Sequence, residues 1–449
     1  MEMSHDREVK MPPFRVRDST WQLGRARRLF LIAAMLASGM IGYYVGFLLS
    51  QARYGRQLSH LDNGDLLGGD FYPLWLTARE LREHRHNPYS EFTTFALQSH
   101  LFGRTLGQRG PNDLSIHYRA FSYPLFADLI SWPLAEFSFE RTRLLLAVIF
   151  LAFSVLTPVL WMHNSGLMLS PPLTLGAVLL YATSYPSLEA LYALQPTIVV
   201  VALLAAAVSA LARGRYWLAG TWLALANIKP QIVVLLTGWL LLWGLSKWSS
   251  RRGLVLSFAL INMIMILASE LLMPGWFGLW VKNLLEYRAY TRPPLFPFVM
   301  GRTGEVLGIL LVAATAYWGW RFRRVDPGDE FMMIVSLFLA VTITMFPSAD
   351  AVYEDLLLWP GLVWIYIHRE EFFRTQGPKK WSLYVAIGAF LWFYLAACVL
   401  LAWVAFGMPW NRSIMLIAIH PTASLPFIVV GLLTLSLLGR VRSVRLQVQ

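Results

Sequence analysis

A single cysteine, Cys398, occurs in the whole chain, and it lies inside an apolar run. Without an intrachain partner it excludes an internal disulfide and says nothing about redox compartment. Charge is scarce too: 14% of the 449 residues are Asp, Glu, Lys or Arg, against 57% hydrophobic residues. So few charges cannot cover the apolar surface of a water-soluble fold. Long alternating strands are missing, which argues against a membrane barrel. No cysteine pair or His-Glu-x-x-His run offers a metal site, and no phosphate-cradling loop or nucleophile elbow is present. Soluble nucleotide chemistry is therefore disfavoured. No internal repeat, low-complexity tract or soluble domain interrupts the chain.

What the sequence has instead is apolar runs near the ~20 residues that cross a bilayer. Hydropathy places spans at 29–50, 143–162, 171–187, 195–212, 216–228, 231–246, 254–273, 304–320, 331–346, 354–367, 381–404 and 421–439. The expected fold is all-α and polytopic, with about 12–13 transmembrane helices. The first span is too long for a signal-peptide core and reads as a retained helix. One membrane domain, 29–439, is expected between a basic segment, 1–28, and a basic tail, 440–449. Two polar segments interrupt the spans, at 51–119 and 274–303.

The net charge of +12 invites a nucleic-acid reading, but the basic residues sit beside apolar spans. Arg25, Arg27 and Arg28 precede the first span, Arg321, Arg323 and Arg324 lie mid-chain, and Arg440, Arg442 and Arg445 close the sequence. That is the pattern of cytoplasmic anchoring, so no nucleic-acid partner is expected. With both termini inside, Lys379/Lys380, Lys247/Arg251/Arg252 and Arg213/Arg215 also fall inside, while 51–119 and 274–303 fall outside. For the parity to close, one short segment must not cross. The choice is 120–137, where Pro124, Pro133 and Asp128 suit a re-entrant or broken helix; the second choice is 171–194. The eight arginines of 51–119 do not violate the rule, because long loops translocate largely regardless of charge.

Asp70, in Gly68-Gly69-Asp70-Phe71-Tyr72-Pro73, opens an amphipathic stretch running to about residue 86. Leu74, Ala78 and Leu81 form its apolar stripe, with Phe71 and Trp75 beside it and Arg79, Arg82, Glu83 and His86 opposite. This patterns as an interfacial helix. A carboxylate at its start serves either as an N-cap or as a general base, and the two roles are compatible. Lys229, in Ile228-Lys229-Pro230-Gln231, sits between two apolar stretches: it either snorkels to headgroups or meets an anionic group such as a lipid phosphate. Gln195 begins a span on the same face and is either a polar helix start or a sugar ligand. Tyr353-Glu354-Asp355 enter another span, where solvated interface residues are the simpler account. Arg288, Arg292 and Arg302 are phosphate contacts or solvated loop residues. His84 and His86 are spaced i,i+2, which points them apart on a helix.

With those residues in view, the chain resembles glycosyltransferase family 87. GGDFYPLWLTARELREHRHNPYS is similar to that family's first outer loop, and FSYPLFADLISWPLAEFSFERTR to its Phe-x-Tyr-Pro-Pro segment. LQPTIVVVALLAAAVSALARGRYWLAGTWLALANIKPQ resembles its Gly-Gln-x-Asn helix, basic turn, Ala-Gly helix and Lys-Pro; FPSADAVYEDLLLWPGL is similar to a later stretch. The four motifs fall in the family's order across roughly residues 29–365. Leu194 stands where the family usually has Gly, Thr197 where Asn is frequent, and Leu125 where a second Pro is common.

The resemblance implies the C-type glycosyltransferase fold and transfer of a sugar, typically mannose, from a polyprenyl-phosphate carrier. The acceptor would be a glycan, glycolipid or glycoprotein at the extracytoplasmic face of a bacterial cytoplasmic membrane. It implies an inverting displacement with Asp70 as general base and Lys229 as the first candidate cation, backed by Arg288 or Arg292. Gln195 and Tyr353 would line the sugar pocket, and Tyr72, Arg79, Tyr123 and Asp355 complete the candidate substrate-binding set. No cofactor is expected, with metal-independent chemistry favoured and a divalent ion left open. The competing class is a lipid-linked-sugar flippase or other transporter, which should show repeats and broken helices in corresponding halves. A membrane subunit without activity is a third reading.

Overall fold

The computed structural model describes residues 16–17, 23–48, 68–108, 120–374, 378–407 and 424–448. It is all-α apart from a two-residue parallel bridge between Val16–Arg17 and Leu167–Met168. Within the described residues, every span expected from hydropathy falls largely on helix, but the lengths differ. Among the described residues, five helices are long and apolar enough to cross a membrane: Gly24–Gly46, Phe139–Asn164, Trp248–Leu272, Leu295–Arg321 and Lys380–Ala405. A sixth span arises if the pair Tyr185–Ala193 and Thr197–Ala212, bent by 116°, counts as one. The other predicted spans fall on further helices, most of them shorter, so long helices are set among short and broken ones.

Side-chain exposure divides the helices into two kinds. Asp329–Met345 is buried on all sides from Phe331 to Thr344. It packs among Pro230–Ser246, Leu295–Arg321, Trp359–Ile367 and Leu425–Val448. A helix apolar all round belongs in such a core. Trp248–Leu272 and Leu295–Arg321, in contrast, present Met263, Ile264, Leu271, Ile309 and Leu310 outward. Those are surfaces for a bilayer to cover, and the chain is an integral membrane protein.

Small residues let helices approach closely, as membrane packing favours. Tyr216–Leu225 lies against Trp248–Leu272 at Gly220, where a Cβ would stand 2.0 Å from Ser257 Oγ and 2.3 Å from the Leu254 carbonyl.

The 120–137 segment folds as a seven-residue helix, Leu125–Ser131, and a 3₁₀ turn, Trp132–Glu136. At 1.5 Å per residue this is far short of a bilayer, as its two prolines suggest. The alternative segment, 171–194, is broken as well: Pro171–Ala182 ends before Thr183 and a new helix starts at Tyr185. The 274–303 segment is not an open loop. It holds the Trp276–Tyr290 helix, and the next helix starts at Leu295 with a non-helical residue at Gly301.

One end of the bundle gathers charge. Asp326 accepts from Lys247 Nζ and Arg251 Nη2, each at 2.7 Å, and the Lys247 bond is the main cause holding its carboxyl below the usual range. Three residues on, Asp329 meets Arg440 Nη1 at 2.7 Å and His368 Nε2 at 3.3 Å. Arg440 is thus part of the fold, and the final helix, Leu425–Val448, runs through the expected start of the tail.

Candidate functional site

Lys229 lies at the opposite end of Pro230–Ser246 from Lys247. Seventeen helical residues put the two ends roughly 25 Å apart. Around Lys229 three parts of the chain converge: the 68–70 turn, the bend at 194–197 and the 3₁₀ segment Val352–Leu358.

The bend is built on a left-handed residue. Leu194 closes Tyr185–Ala193 with φ 49° and ψ 52°, a conformation unfavourable for a residue with a Cβ. Its side chain is fully buried, which is the compensation. Gly68, at φ +83°, donates its N–H to the Tyr192 carbonyl at 2.8 Å. A Cβ there would stand 3.0 Å from Leu194 Cδ1 and 3.1 Å from Phe139 Cζ. Asp70 N–H then donates to the Ala193 carbonyl at 3.1 Å, so the carboxylate-bearing turn is pinned to the bend.

Replacing Leu194 by the family's usual glycine is expected to destabilise this chain. Relief of the left-handed strain is worth ~1–2 kcal/mol, whereas removing a buried leucine costs ~2–5 kcal/mol. Unfolding in detergent against an SDS gradient checks the sign; equal or greater stability of Leu194→Gly would contradict it.

Side-chain bonds complete the centre. Gln195 Nε2 donates to Asp70 Oδ2 at 2.6 Å. Lys229 Nζ donates to Gln195 Oε1 at 3.1 Å, Thr197 Oγ1 at 2.7 Å and Glu354 Oε1 at 2.5 Å. The Thr197 hydroxyl donates to Glu354 Oε2 at 3.1 Å. Lys229 and Glu354 are 4% and 2% exposed, so this is a buried ion pair. The Tyr353 ring lies 5.0 Å from the ammonium. Burial, with the charges of Asp70 and Glu354, holds the Tyr353 hydroxyl well above the usual phenol range.

Several expectations change here. Asp70 does not occupy the N-cap position: the helix is Tyr72–His84, and its N-cap is Phe71. Lys229 does not snorkel, and all three of its protons are directed to protein acceptors. The apolar stripe of Tyr72–His84 faces protein, packing on Leu125–Ser131 and Trp132–Glu136. Arg85 is left-handed and ends that helix, which brings the His84 and His86 rings within 5.5 Å and turns His86 onto Glu80.

The remaining candidates divide by position. Tyr72 is buried in packing, stacked on His100 and edge-on to Phe139. Arg79 pairs with Glu83 on the solvent side of its helix and lies over Trp75. Tyr123 interacts electrostatically with Tyr353, as does Tyr287. The Trp276–Tyr290 helix is held over this region by Trp280 and Asn283, which donate to the carbonyls of Ser122 and Phe121. Arg288 is exposed on that helix's last turn. Arg292 is paired with Asp350 at 3.1 Å. Asp355 points away from Lys229, into an aromatic crevice lined by Tyr181, Trp359, Phe390, Phe393 and Tyr394. Among the described residues, no group of three His, Cys, Asp or Glu converges as a metal site.

Glu354 and Thr197 were not among the expected site residues. The signal for Glu354 was present in the paired carboxylates 354–355, but nothing in the sequence says which one faces Lys229.

The family model for glycosyltransferase family 87 matches residues 121–347, just over half of the chain. The chain belongs to glycosyltransferase family 87. It is therefore a membrane glycosyltransferase, and the family match contains Gln195, Thr197 and Lys229. Asp70 and Glu354 lie outside the matched residues, so their place in this family 87 protein rests on the hydrogen bonds just described. No curated protein and no solved structure matches the chain.

Proposed function

We propose that this enzyme moves a sugar, mannose or another hexose or pentose, from a polyprenyl-phosphate carrier to an acceptor hydroxyl. The reaction would take place at the extracytoplasmic face, on a C-type glycosyltransferase fold. The acceptor oxygen forms a bond to the anomeric carbon as the bond from that carbon to phosphate breaks. The phosphate leaves with the bonding electrons, and Asp70 takes the acceptor proton. A single displacement of this kind inverts the anomeric configuration.

The observation that carries the reading is Asp70 itself, a half-buried carboxylate held by Gln195 in front of a buried ion pair. A base needs a fixed position, and here the position is set from both backbone and side chain. The site's distance from the basic end of the bundle supports an opposite membrane face. Because Lys229 is already balanced by Glu354, the leaving phosphate is assigned to Arg288, the exposed arginine beside Tyr287. A prenyl chain would lie along the apolar helix faces.

Membranes containing the enzyme are to be incubated with radiolabelled polyprenyl-phosphate sugars and, separately, nucleotide sugars without carrier. Label passing to a glycan, lipid or protein only from the polyprenyl donors is the expected result. Direct transfer from a nucleotide sugar in carrier-free membranes would overturn the donor assignment.

A further inference from the structure

Gln195 is an amide whose two ends look alike in shape, so its orientation must be fixed by its neighbours. An ammonium can only donate, and an ionised carboxylate can only accept. Lys229 on one side therefore requires the amide oxygen, and Asp70 on the other receives the amide N–H. The distances of 3.1 Å and 2.6 Å fit that single orientation.

Lys229 is held in turn from beyond. Glu354 accepts from the ammonium through Oε1 and from Thr197 through Oε2. Thr197 accepts from Lys229 and donates to Glu354, so its hydroxyl too has one consistent direction. The bonds run one way, from the cation through the amide to the base.

We propose that Glu354 is a positioning residue for Asp70, acting through Lys229 and Gln195 to set the carboxylate's orientation and to balance the lysine's charge. This rests on reading Asp70 as the base. Glu354 touches no reacting atom. Its carboxylate keeps the ammonium from acting at full strength on the base, and it holds the ammonium directly through Oε1 and by way of Thr197 through Oε2. Other titratable groups that interact with Asp70 include Glu189, from Tyr185–Ala193, and Tyr353. Glu189 is itself bonded to Tyr44 and Tyr185, on the far side from Lys229 in the chain of bonds.

Three variants test this in one transfer assay: Glu354→Gln, the double variant Lys229→Gln/Glu354→Gln, and Asp70→Asn. In Glu354→Gln the lysine's charge is uncompensated and favours the ionised base. The acid limb of the kcat/KM profile should then move to lower pH by about one unit. Its kcat should fall about 10²-fold with donor KM little changed. The double variant buries no unpaired charge, so it keeps the inference testable if Glu354→Gln does not fold. Its kcat should also fall at least tenfold, with the acid limb near the wild-type position. Partial recovery of kcat in Glu354→Asp would support the role further. Wild-type kcat and an unmoved acid limb in Glu354→Gln, or wild-type kcat in the double variant, would overturn the inference. If Asp70→Asn abolishes transfer while those variants behave as wild type, the relay fails and the base reading stands. If Asp70→Asn retains kcat, the base reading fails, and the relay with it.

Discussion

Asp70→Asn is expected to lower kcat by about 10²–10⁴-fold, the range a positioned general base supplies. At 1.36 kcal/mol per decade this corresponds to ~3–5 kcal/mol in the barrier. Asparagine keeps the size of aspartate, and its amide oxygen can still accept the Gln195 N–H. The fold and the donor site should therefore survive, and the loss should appear in kcat rather than in donor KM. Single-turnover transfer from a polyprenyl-phosphate sugar, together with donor binding to the variant, separates the two. A kcat within tenfold of wild type would sink the assignment of Asp70 as base.

The second large effect is on stability. Lys229→Met leaves Glu354 buried without its cation, and breaking one partner of a buried pair costs ~3–5 kcal/mol. Replacing both partners by apolar residues of similar volume is often neutral. Unfolding in detergent should therefore show a deep loss in Lys229→Met and a recovery of most of it in Lys229→Met/Glu354→Leu. Activity should stay low in the double variant, because Gln195 has lost the donor that orients it. Additive losses in the double variant would mean that the two residues do not act as a pair in the membrane.

The reach of the sequence can be judged from these residues. Gln195 and Lys229 stand out in the sequence as polar groups beside apolar runs and Asp70 as a carboxylate opening an amphipathic stretch, while Tyr353 enters with the family resemblance; the fold brings all four together. Hydropathy located the helices for the same reason: burial and lipid contact both require apolar runs. It could not find where helices break. Leu194 is an ordinary helix former by propensity, and its left-handed bend goes with a fully buried side chain that lies beside Gly68. Nor could it choose between Glu354 and Asp355. Both lie on a 3₁₀ turn, where successive residues are rotated by about 120°, so adjacent carboxylates face different ways. Tyr72 and Arg79 belong to the candidate substrate-binding set, but the helix carries Tyr72 into packing and Arg79 to its solvent side.

The ion pair also has a history in time. Lys229 and Glu354 are 125 positions apart. At ~5–20 residues per second, the lysine is synthesised roughly 6–25 s before its counter-ion. During that interval the ammonium stands at the end of its helix without its counter-ion, where burying a charge away from water is costly. The segment that begins with Lys229 therefore enters the membrane with its charged end unbalanced, and it is secured only after the Val352–Leu358 turn has been translated. Translation thus completes the proposed site only with the Val352–Leu358 turn, well after Asp70 has been made.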